Sequence, residues 1–276
     1  TVNDSSAASV DLTLNGPIIG SPGAALVKAG AGTLRMSGAG NTQPGLVTCS
    51  AGLLELAKTS GDAIGTGGLS ISAGTVRSLA NEQIENTASV SLSSANEVFL
   101  ELNNFTETTG PLSLAQTDTN DYTAVKTGAT GTLVLNGNLS LNNNTNSSST
   151  DGREVLITGT GSEFAATTDG TLDLGGATRT IQVSTSTLGA NEPKANATIE
   201  THIINGGILK TGARTLNLSH PNNTFSGGLQ IAEGYVKPAT TGSLGAGPVT
   251  FTNGIGVTAG IDFGSLTGTV PNTIHT

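Results

Sequence analysis

The chain has 276 residues, with 39 glycines, no tryptophan, 3% aromatic and 11% charged residues, and a net charge of −9 at pH 7. Its 11 basic residues are scattered, which disfavours nucleic-acid binding because phosphate contacts need clustered lysine and arginine. The single cysteine, Cys49, excludes an intramolecular disulfide framework and is expected to be a small buried residue; no apolar run approaches the roughly 20 residues of a membrane-spanning helix, so no membrane insertion is expected.

The first strand is predicted at residues 10–15, where apolar and polar residues alternate and Gly16-Pro17 ends the alternation. Residues 1–9 are small and polar and are predicted as a frayed or free N-terminal arm, or as an arm that pairs elsewhere. Further short apolar segments follow at intervals of roughly ten to twenty residues, too close together for crossover helices between parallel strands. Parallel pairing must therefore come from winding, as in a β-helix.

Four segments interrupt this regular spacing of short apolar segments. Residues 78–86 lack glycine and are predicted as a short helical or irregular insertion. Residues 116–122, 142–152 and 184–197 are polar and are predicted as Asn/Ser/Thr-rich loops that protrude from the solenoid.

One sequence motif, which we call the phrase, occurs three times, at residues 26–38, 125–137 and 206–218. Each copy ends with two apolar residues at alternate positions and a residue of variable type between them. We predict that the apolar pair faces the interior and that the intervening residue faces solvent. The predicted core ladder consists of Leu34, Met36, Leu133, Leu135, Leu216 and Leu218.

The third copy resembles a known family. Lys210-Thr211-Gly212 opens it, and Asn223-Thr224-Phe225-Ser226-Gly227-Gly228 follows it. This arrangement is similar to the autotransporter-associated β-strand repeat, also called the passenger-associated transport repeat, whose pattern is Lys-Thr-Gly-x-Gly-Thr-Leu-x-Leu-x-Gly and then Asn-Thr-Tyr-x-Gly-Gly. Arg214 stands in place of the second glycine of this pattern, and Phe225 in place of its tyrosine.

The resemblance is closest over residues 171–254, less close over 26–76 and least close over 125–141. It implies a right-handed parallel β-helix that is exported and displayed at, or shed from, a bacterial cell surface. It does not imply one activity. The expected fold is an all-β, right-handed parallel β-helix (β-solenoid) that forms a single domain over residues 1–276.

Some β-helices are polysaccharide lyases or hydrolases, which need paired carboxylates, or a basic residue beside carboxylates, on one face. The candidate pairs are Asp118 with Asp121, and Asp169 with Asp173. Each pair is explained more simply as a turn aspartate plus an outward strand residue. We therefore predict no catalytic residues.

Motifs for binding a metal or a cofactor are as sparse as catalytic ones. His202, His220 and His275 are far apart in the sequence and lack metal-ligand spacing. Residues 118–121 resemble part of a calcium loop, but the glycine at the sixth position and the terminal glutamate are missing. No metal site and no cofactor are predicted.

Two main hypotheses for function follow. The first is a non-enzymatic extracellular structural protein, a surface or fibre subunit whose copies join end to end or exchange terminal strands, with Val10, Leu12 and Leu14 in the candidate assembly strand. The second is an autotransporter-type passenger that acts as an adhesin or glycan-binding module through the polar loops. An enzyme is a third alternative. The structural hypothesis is preferred because no catalytic residues converge; its expected partner is a second copy of the chain, whereas the adhesin would bind a glycan or cell-surface ligand.

Overall fold

The computed structural model describes residues 1–6, 8–21, 23–42, 45–118, 121–144, 154–161, 170–184 and 195–276, without the side chains of residues 195 and 196. In this part of the chain the protein is a parallel β-solenoid of about ten turns without an α-helix. Every strand pairs in parallel with its counterparts in adjacent coils. The predicted all-β solenoid is thus confirmed.

Two long sheets, each with eleven strands among the described residues, form the walls of the solenoid. The first sheet contains, in order, β1 (Leu12–Asn15), β3 (Thr33–Ala39), β5 (Leu53–Ser60), β7 (Gly74–Ser78), β9 (Val98–Glu101), β12 (Thr123–Lys126), β15 (Val155–Thr158), β18 (Ala195–Ile199), β21 (Thr215–Leu218), β23 (Gly234–Pro238) and β25 (Ala259–Ile261). The second contains β2 (Leu26–Lys28), β4 (Val47–Cys49), β6 (Leu69–Ile71), β8 (Val90–Ser94), β11 (Leu112–Gln116), β14 (Leu139–Asn143), β17 (Thr178–Ser184), β20 (Gly207–Thr211), β22 (Leu229–Ile231), β24 (Val249–Phe251) and β26 (Ile274–His275).

Four consecutive coils in the middle of the described chain carry a third sheet. It contains β10 (Thr106–Thr109), β13 (Thr132–Leu135), β16 (Thr171–Asp173) and β19 (His202–Ile204). The coils on either side turn this corner without a strand, and a short 3-10 helix lies at Thr241–Leu244.

The interior is a set of apolar ladders, because alternate residues of each strand face inward and parallel pairing places them above one another. Each fully buried leucine or isoleucine contributes about 2 kcal/mol relative to an exposed one. Cys49 is fully buried in this core, as expected. The longest ladder in the first sheet runs through Leu12, Leu34, Leu54, Val76, Leu100, Val125, Ile157, Ile199 and Leu218.

All six residues of the predicted core ladder are buried, but they do not form one ladder. Leu34 lies above Leu218 and not above Leu216, so the third phrase is displaced by two residues relative to the first. A displacement of two keeps the same residues facing inward, because side chains in a strand alternate with a period of two. The prediction that Leu34 and Leu216 occupy equivalent positions is therefore wrong.

The phrase at residues 125–137 is not equivalent to the other two. Its apolar pair, Leu133 and Leu135, lies on β13 in the third sheet, whereas Leu34 and Leu216 lie on strands of the first sheet. The segment at residues 78–86 is irregular and not helical: after β7 it makes a turn, and Ile84 forms a parallel bridge with Ile64.

Candidate functional site

Buried lysines join successive coils. The Lys28 ammonium donates hydrogen bonds to the carbonyl oxygens of Gly30 and Ala51, both at 2.7 Å. Ala51 lies one coil further along the chain, so the ammonium ties the turn after β2 to the turn after β4. Burial lowers the pKa of Lys28, and Cys49 and Asp11 oppose this shift.

Lys210 makes the same tie in the third phrase. It is fully buried, and its ammonium donates to three carbonyl oxygens, those of Thr211 (2.9 Å), Gly212 (2.6 Å) and Glu233 (2.9 Å). Burial lowers the pKa of Lys210 to about 7, and Glu233 opposes this shift. Both lysines therefore satisfy backbone carbonyls at a corner of the solenoid, where strand pairing cannot.

Two asparagines tie three coils each. The side chain of Asn223 accepts a hydrogen bond from the Ile203 N–H at 2.8 Å and donates one to the Ser243 carbonyl at 2.8 Å. Asn41 repeats this arrangement near the start of the chain. It accepts from the Ile18 N–H at 2.8 Å and donates to the Ala63 carbonyl at 2.7 Å.

Of the four candidate carboxylates, the structure describes Asp118, Asp121 and Asp173. Asp173 accepts hydrogen bonds from the Gly175 N–H at 2.7 Å and from the Asn205 side chain at 3.1 Å, as a turn residue does. Its proposed partner Asp169 lies outside the described residues. The Asp118 N–H donates to the side chain of Gln116 at 3.0 Å, and Asp121 is half-buried.

Two of the three histidines are close together in space. The rings of His202 and His220 stack with centroids 4.8 Å apart, although the sequence places them far apart. They are separated by about one coil, a signal that the coil period could have supplied. His202 Nε2 lies 2.9 Å from the Thr224 hydroxyl, and burial lowers the pKa of His202. Among the described residues, no group of three His, Cys, Asp or Glu side chains is arranged to hold a metal ion.

An aromatic cluster lies on the outer face of the first sheet and was not predicted. Phe99 and Tyr122 pack with ring centroids 4.9 Å apart, beside the buried side chains of Ala124 and Leu156. The Lys126 ammonium lies 3.6 Å from the centroid of the Phe99 ring. Burial lowers the pKa of Lys126, and Glu101 and Glu97 partly offset this shift.

A groove adjoins this cluster, and we call it the Lys126 groove. Polar and small residues line it: Glu101, Asn103, Asn104, Lys126, Gly128, Gly159 and Thr160. Its strands β9, β12 and β15 are neighbours in the first sheet. The groove therefore spans three successive coils, which is why no single stretch of sequence indicates it.

The segments that match a known family contain the buried lysines Lys28 and Lys210 at the corners of the solenoid. Residues 26–56 and 208–237 match the passenger-associated-transport-repeat model. These two segments are similar to that repeat. Each includes one of the buried lysines, Lys28 or Lys210, and the resemblance stated for these parts of the sequence is confirmed. No curated protein and no solved structure matches the chain significantly.

The repeat family and the solenoid fold fit an extracellular, passenger-like protein. The phrase at 125–137 lies outside both matched repeats, in agreement with its position on the third sheet. No helix among the described residues is long and apolar enough to cross a membrane.

The candidate assembly strand lies one coil before the first repeat strand of its sheet. β1 is the terminal strand of the first sheet and pairs only with β3. Leu12 belongs to an interior ladder and is 45% exposed, Leu14 is half-buried against the core, and Val10 is half-buried just before the strand. The terminal strand thus presents apolar side chains from its interior face.

The N-terminal segment before β1 contacts the first repeat. The Val2 N–H donates to the Ala29 carbonyl at 2.7 Å, and the Gly32 N–H donates to the Val2 carbonyl at 3.0 Å. The Asp11 carboxylate accepts from the Ser5 and Thr33 N–H groups, both at 2.7 Å. These contacts attach the segment to the first corner of the solenoid.

The three predicted loops are described only in part. Gln116 and Tyr122, at the ends of the first loop, are buried and belong to the body of the solenoid. The second and third loops begin within β14 and β17, and residues 145–152 and 185–194 lie outside the described residues.

Proposed function

We propose that this chain is a non-enzymatic structural segment of an exported surface protein, a rod whose copies join end to end. The observation that supports a rod is the continuous parallel pairing of its two long sheets through every described coil. Coils separated by about 4.8 Å give a rod on the order of 50 Å long. Each coil contacts only its neighbours, so length is added without a larger core.

The lysine and asparagine ties support the same role. They satisfy polar groups at the corners of coils whose described residues include no group of side chains arranged to hold a metal ion, and whose one cysteine, Cys49, is free. The carboxylates that a hydrolase or lyase would need are instead occupied in turns, as Asp173 illustrates. The scaffold role therefore accounts for more of the described residues than an enzymatic role does.

End-to-end joining would involve Leu12 and Ile274, on the first and last strands of the described solenoid. Leu12 on β1 and Ile274 on β26 belong to interior ladders, yet they are 45% and 44% exposed. A second copy placed head to tail would cover both residues and continue both sheets with parallel pairing.

Electron microscopy and sedimentation of the purified chain test this proposal. We expect rods longer than one solenoid, with shortening by Leu12→Lys because a charge would enter the joint. Gln182→Lys is the matched control, since Gln182 is exposed on the outer face of β17, a strand in the middle of its sheet and away from both ends. Monomers dispersed at high concentration, or equal shortening by both variants, would overturn end-to-end joining.

A second candidate function is an adhesin or glycan-binding passenger. The observation that favours it is the Lys126 groove, which displays charged and amide side chains on a rigid sheet. Binding of the chain to cells or immobilised glycans tests it; equal binding after substitution in the groove would argue against this location.

A further inference from the structure

The aromatic cluster beside the Lys126 groove is not needed by the solenoid interior. Phe99 lies between the inward residues Val98 and Leu100, so its ring points to the outer face. The chain has only 6 phenylalanines and 2 tyrosines, and this cluster uses two of these eight residues outside the core. Tyr122 is buried and Phe99 is half-buried, so the two rings form a small apolar base on the outer face, on which the Lys126 ammonium rests.

Lys126 differs from the buried lysines of the repeats. Lys28 and Lys210 each donate to two or more carbonyl oxygens. The Lys126 ammonium instead rests on the Phe99 ring at 3.6 Å and has no hydrogen-bond acceptor among the described residues. An ammonium has three N–H donors, and its attraction to the ring fixes its position without using them. The groove therefore contains a positioned cation with free donors.

Acceptors and an amide lie in the same groove. One carboxylate oxygen of Glu101, Oε2, accepts from the Arg77 guanidinium at 2.8 Å, while Oε1 has no partner among the described residues. Asn103 is exposed, and its side-chain amide also has no partner in the described part of the chain. Asn104 is held in place because its side chain accepts from the Thr130 N–H at 3.1 Å. Donors and acceptors are thus presented together.

Two glycines line the groove where adjacent coils pack closely. Gly128 and Gly159 lie on adjacent coils, and the Gly128 N–H donates to the Gly159 carbonyl at 3.0 Å. Gly128 has a φ of +84°, and a Cβ there would lie 2.6 Å from the backbone nitrogen of Asn104. Glycine is therefore required at this point, because a side chain would strain the backbone and displace Asn104 from its place in the groove.

We propose that the Lys126 groove binds a neutral oligosaccharide through the Lys126 ammonium, the free oxygen of Glu101 and the Asn103 amide. Sugar hydroxyls both donate and accept hydrogen bonds, which matches this mixture. The charges of Arg77, Glu101 and Lys126, with Glu97 nearby, nearly balance, so an acidic polymer gains little attraction. This inference rests on the adhesin candidate and is independent of end-to-end joining.

Titration calorimetry and amide NMR of the full chain test the proposal. The probes are cellotetraose, maltotetraose and the N-acetylglucosamine tetramer, with tetragalacturonate as the acidic comparison. We expect at least one neutral tetramer to bind at least tenfold more tightly than the uronate, and to shift the amide signals of residues 101–104 and 126–128.

Lys126→Met should weaken that binding about tenfold, since it removes a charged donor of hydrogen bonds while keeping an apolar chain over Phe99. Lys237→Met is the matched control, because Lys237 is exposed on the outer face of β23, and it should leave binding unchanged. Asn103→Ala should weaken binding by a smaller factor. Circular dichroism verifies that each variant keeps its sheet content.

Stronger binding of tetragalacturonate, equal effects of the two lysine variants, or no binding of any neutral tetramer would each overturn the proposal. Rods of normal length from Lys126→Met would show that the groove and the joint between copies are separate, so the two proposals can fail independently.

Discussion

The repeat coils and the middle coils of this solenoid share one fold, but Lys28 and Lys210 of the repeats and Lys126 of the middle coils lie on opposite faces of the sheets. In the repeats, residues 26–56 and 208–237, lysines turn inward and tie carbonyl groups of successive coils. In the middle coils, which carry the third sheet, Lys126 turns outward onto an aromatic ring. Lys28 and Lys210 thus stabilise the matched coils from within, whereas Lys126 presents its charge at the surface of the unmatched ones.

The middle coils also hold a buried acid. Glu107, on β10, occupies an interior ladder position beside Leu133, and its carboxyl oxygens accept from the Gln83 and Ile84 N–H groups at 2.9 to 3.0 Å. Because the preceding coil has no strand at this corner, the carboxyl group satisfies backbone donors that strand pairing leaves over. Burial raises the pKa of Glu107 to about 8, and hydrogen bonds from Gln83 and Ile84 oppose this shift.

The largest expected contrast lies between two phenylalanines. Phe225→Ala should destabilise the repeat coils by about 3–5 kcal/mol, because Phe225 is fully buried and leaves a cavity. Phe99→Ala, on the outer face, should cost about 1 kcal/mol, since its ring is only half-buried. Denaturant unfolding followed by amide hydrogen exchange measures both; equal losses would show that the outer cluster stabilises the fold as much as the core does.

The next largest effects are two opposite dependences of stability on pH, one from Glu107 and one from Lys210. The raised pKa of Glu107 gives stability that is present below pH 4.5 and lost as pH rises towards 8, by up to about 5 kcal/mol. The lowered pKa of Lys210 works the other way: the unfolded chain binds the extra proton between about pH 7 and 10.5, so stability rises over that interval.

Hydrogen exchange at several pH values, resolved by coil, separates the two effects. Glu107→Gln should abolish the loss between pH 5 and 8 in the middle coils, and Lys210→Met should abolish the alkaline gain in the second repeat. A pH profile unchanged by Glu107→Gln would mean that the carboxyl group titrates normally in the folded chain.

The smallest effect concerns the asparagine ties. Asn223→Ala should destabilise its repeat by about 2–3 kcal/mol, because it leaves the Ile203 N–H and the Ser243 carbonyl without partners. Asn41→Ala should cost a similar amount in the first repeat, where the same two bonds are made. Asn103→Ala, in the middle coils, should cost only about 1 kcal/mol: the residue is exposed, but its φ of +53° is strained for alanine. Thermal melts of the three variants test this order.

Much of the fold could be predicted from alternation and from glycine and asparagine at the bends. The burial of Leu133 and Leu216 follows from alternation, which repeats every two residues. The ladder to which each residue belongs cannot be predicted from alternation, because a displacement by two residues leaves the polarity pattern unchanged. Only the pairing between coils reveals that Leu34 lies above Leu218.

The candidate site could not be predicted from the sequence, for a related reason. Glu101, Lys126 and Gly159 are brought together by winding, and nothing in the local sequence distinguishes them from other turn and strand residues. The burial of the lysines could not be predicted either, since Lys210 looks like any polar strand residue until the carbonyl groups around it are known.

The displacement of the third phrase has a consequence for how such chains can change length. Deleting or inserting two residues along a strand would leave the apolar faces packed, whereas a change of one would turn every following side chain inside out as far as the next corner. Even-numbered changes should therefore accumulate within the strands of these rods, and odd-numbered ones should be confined to the bends.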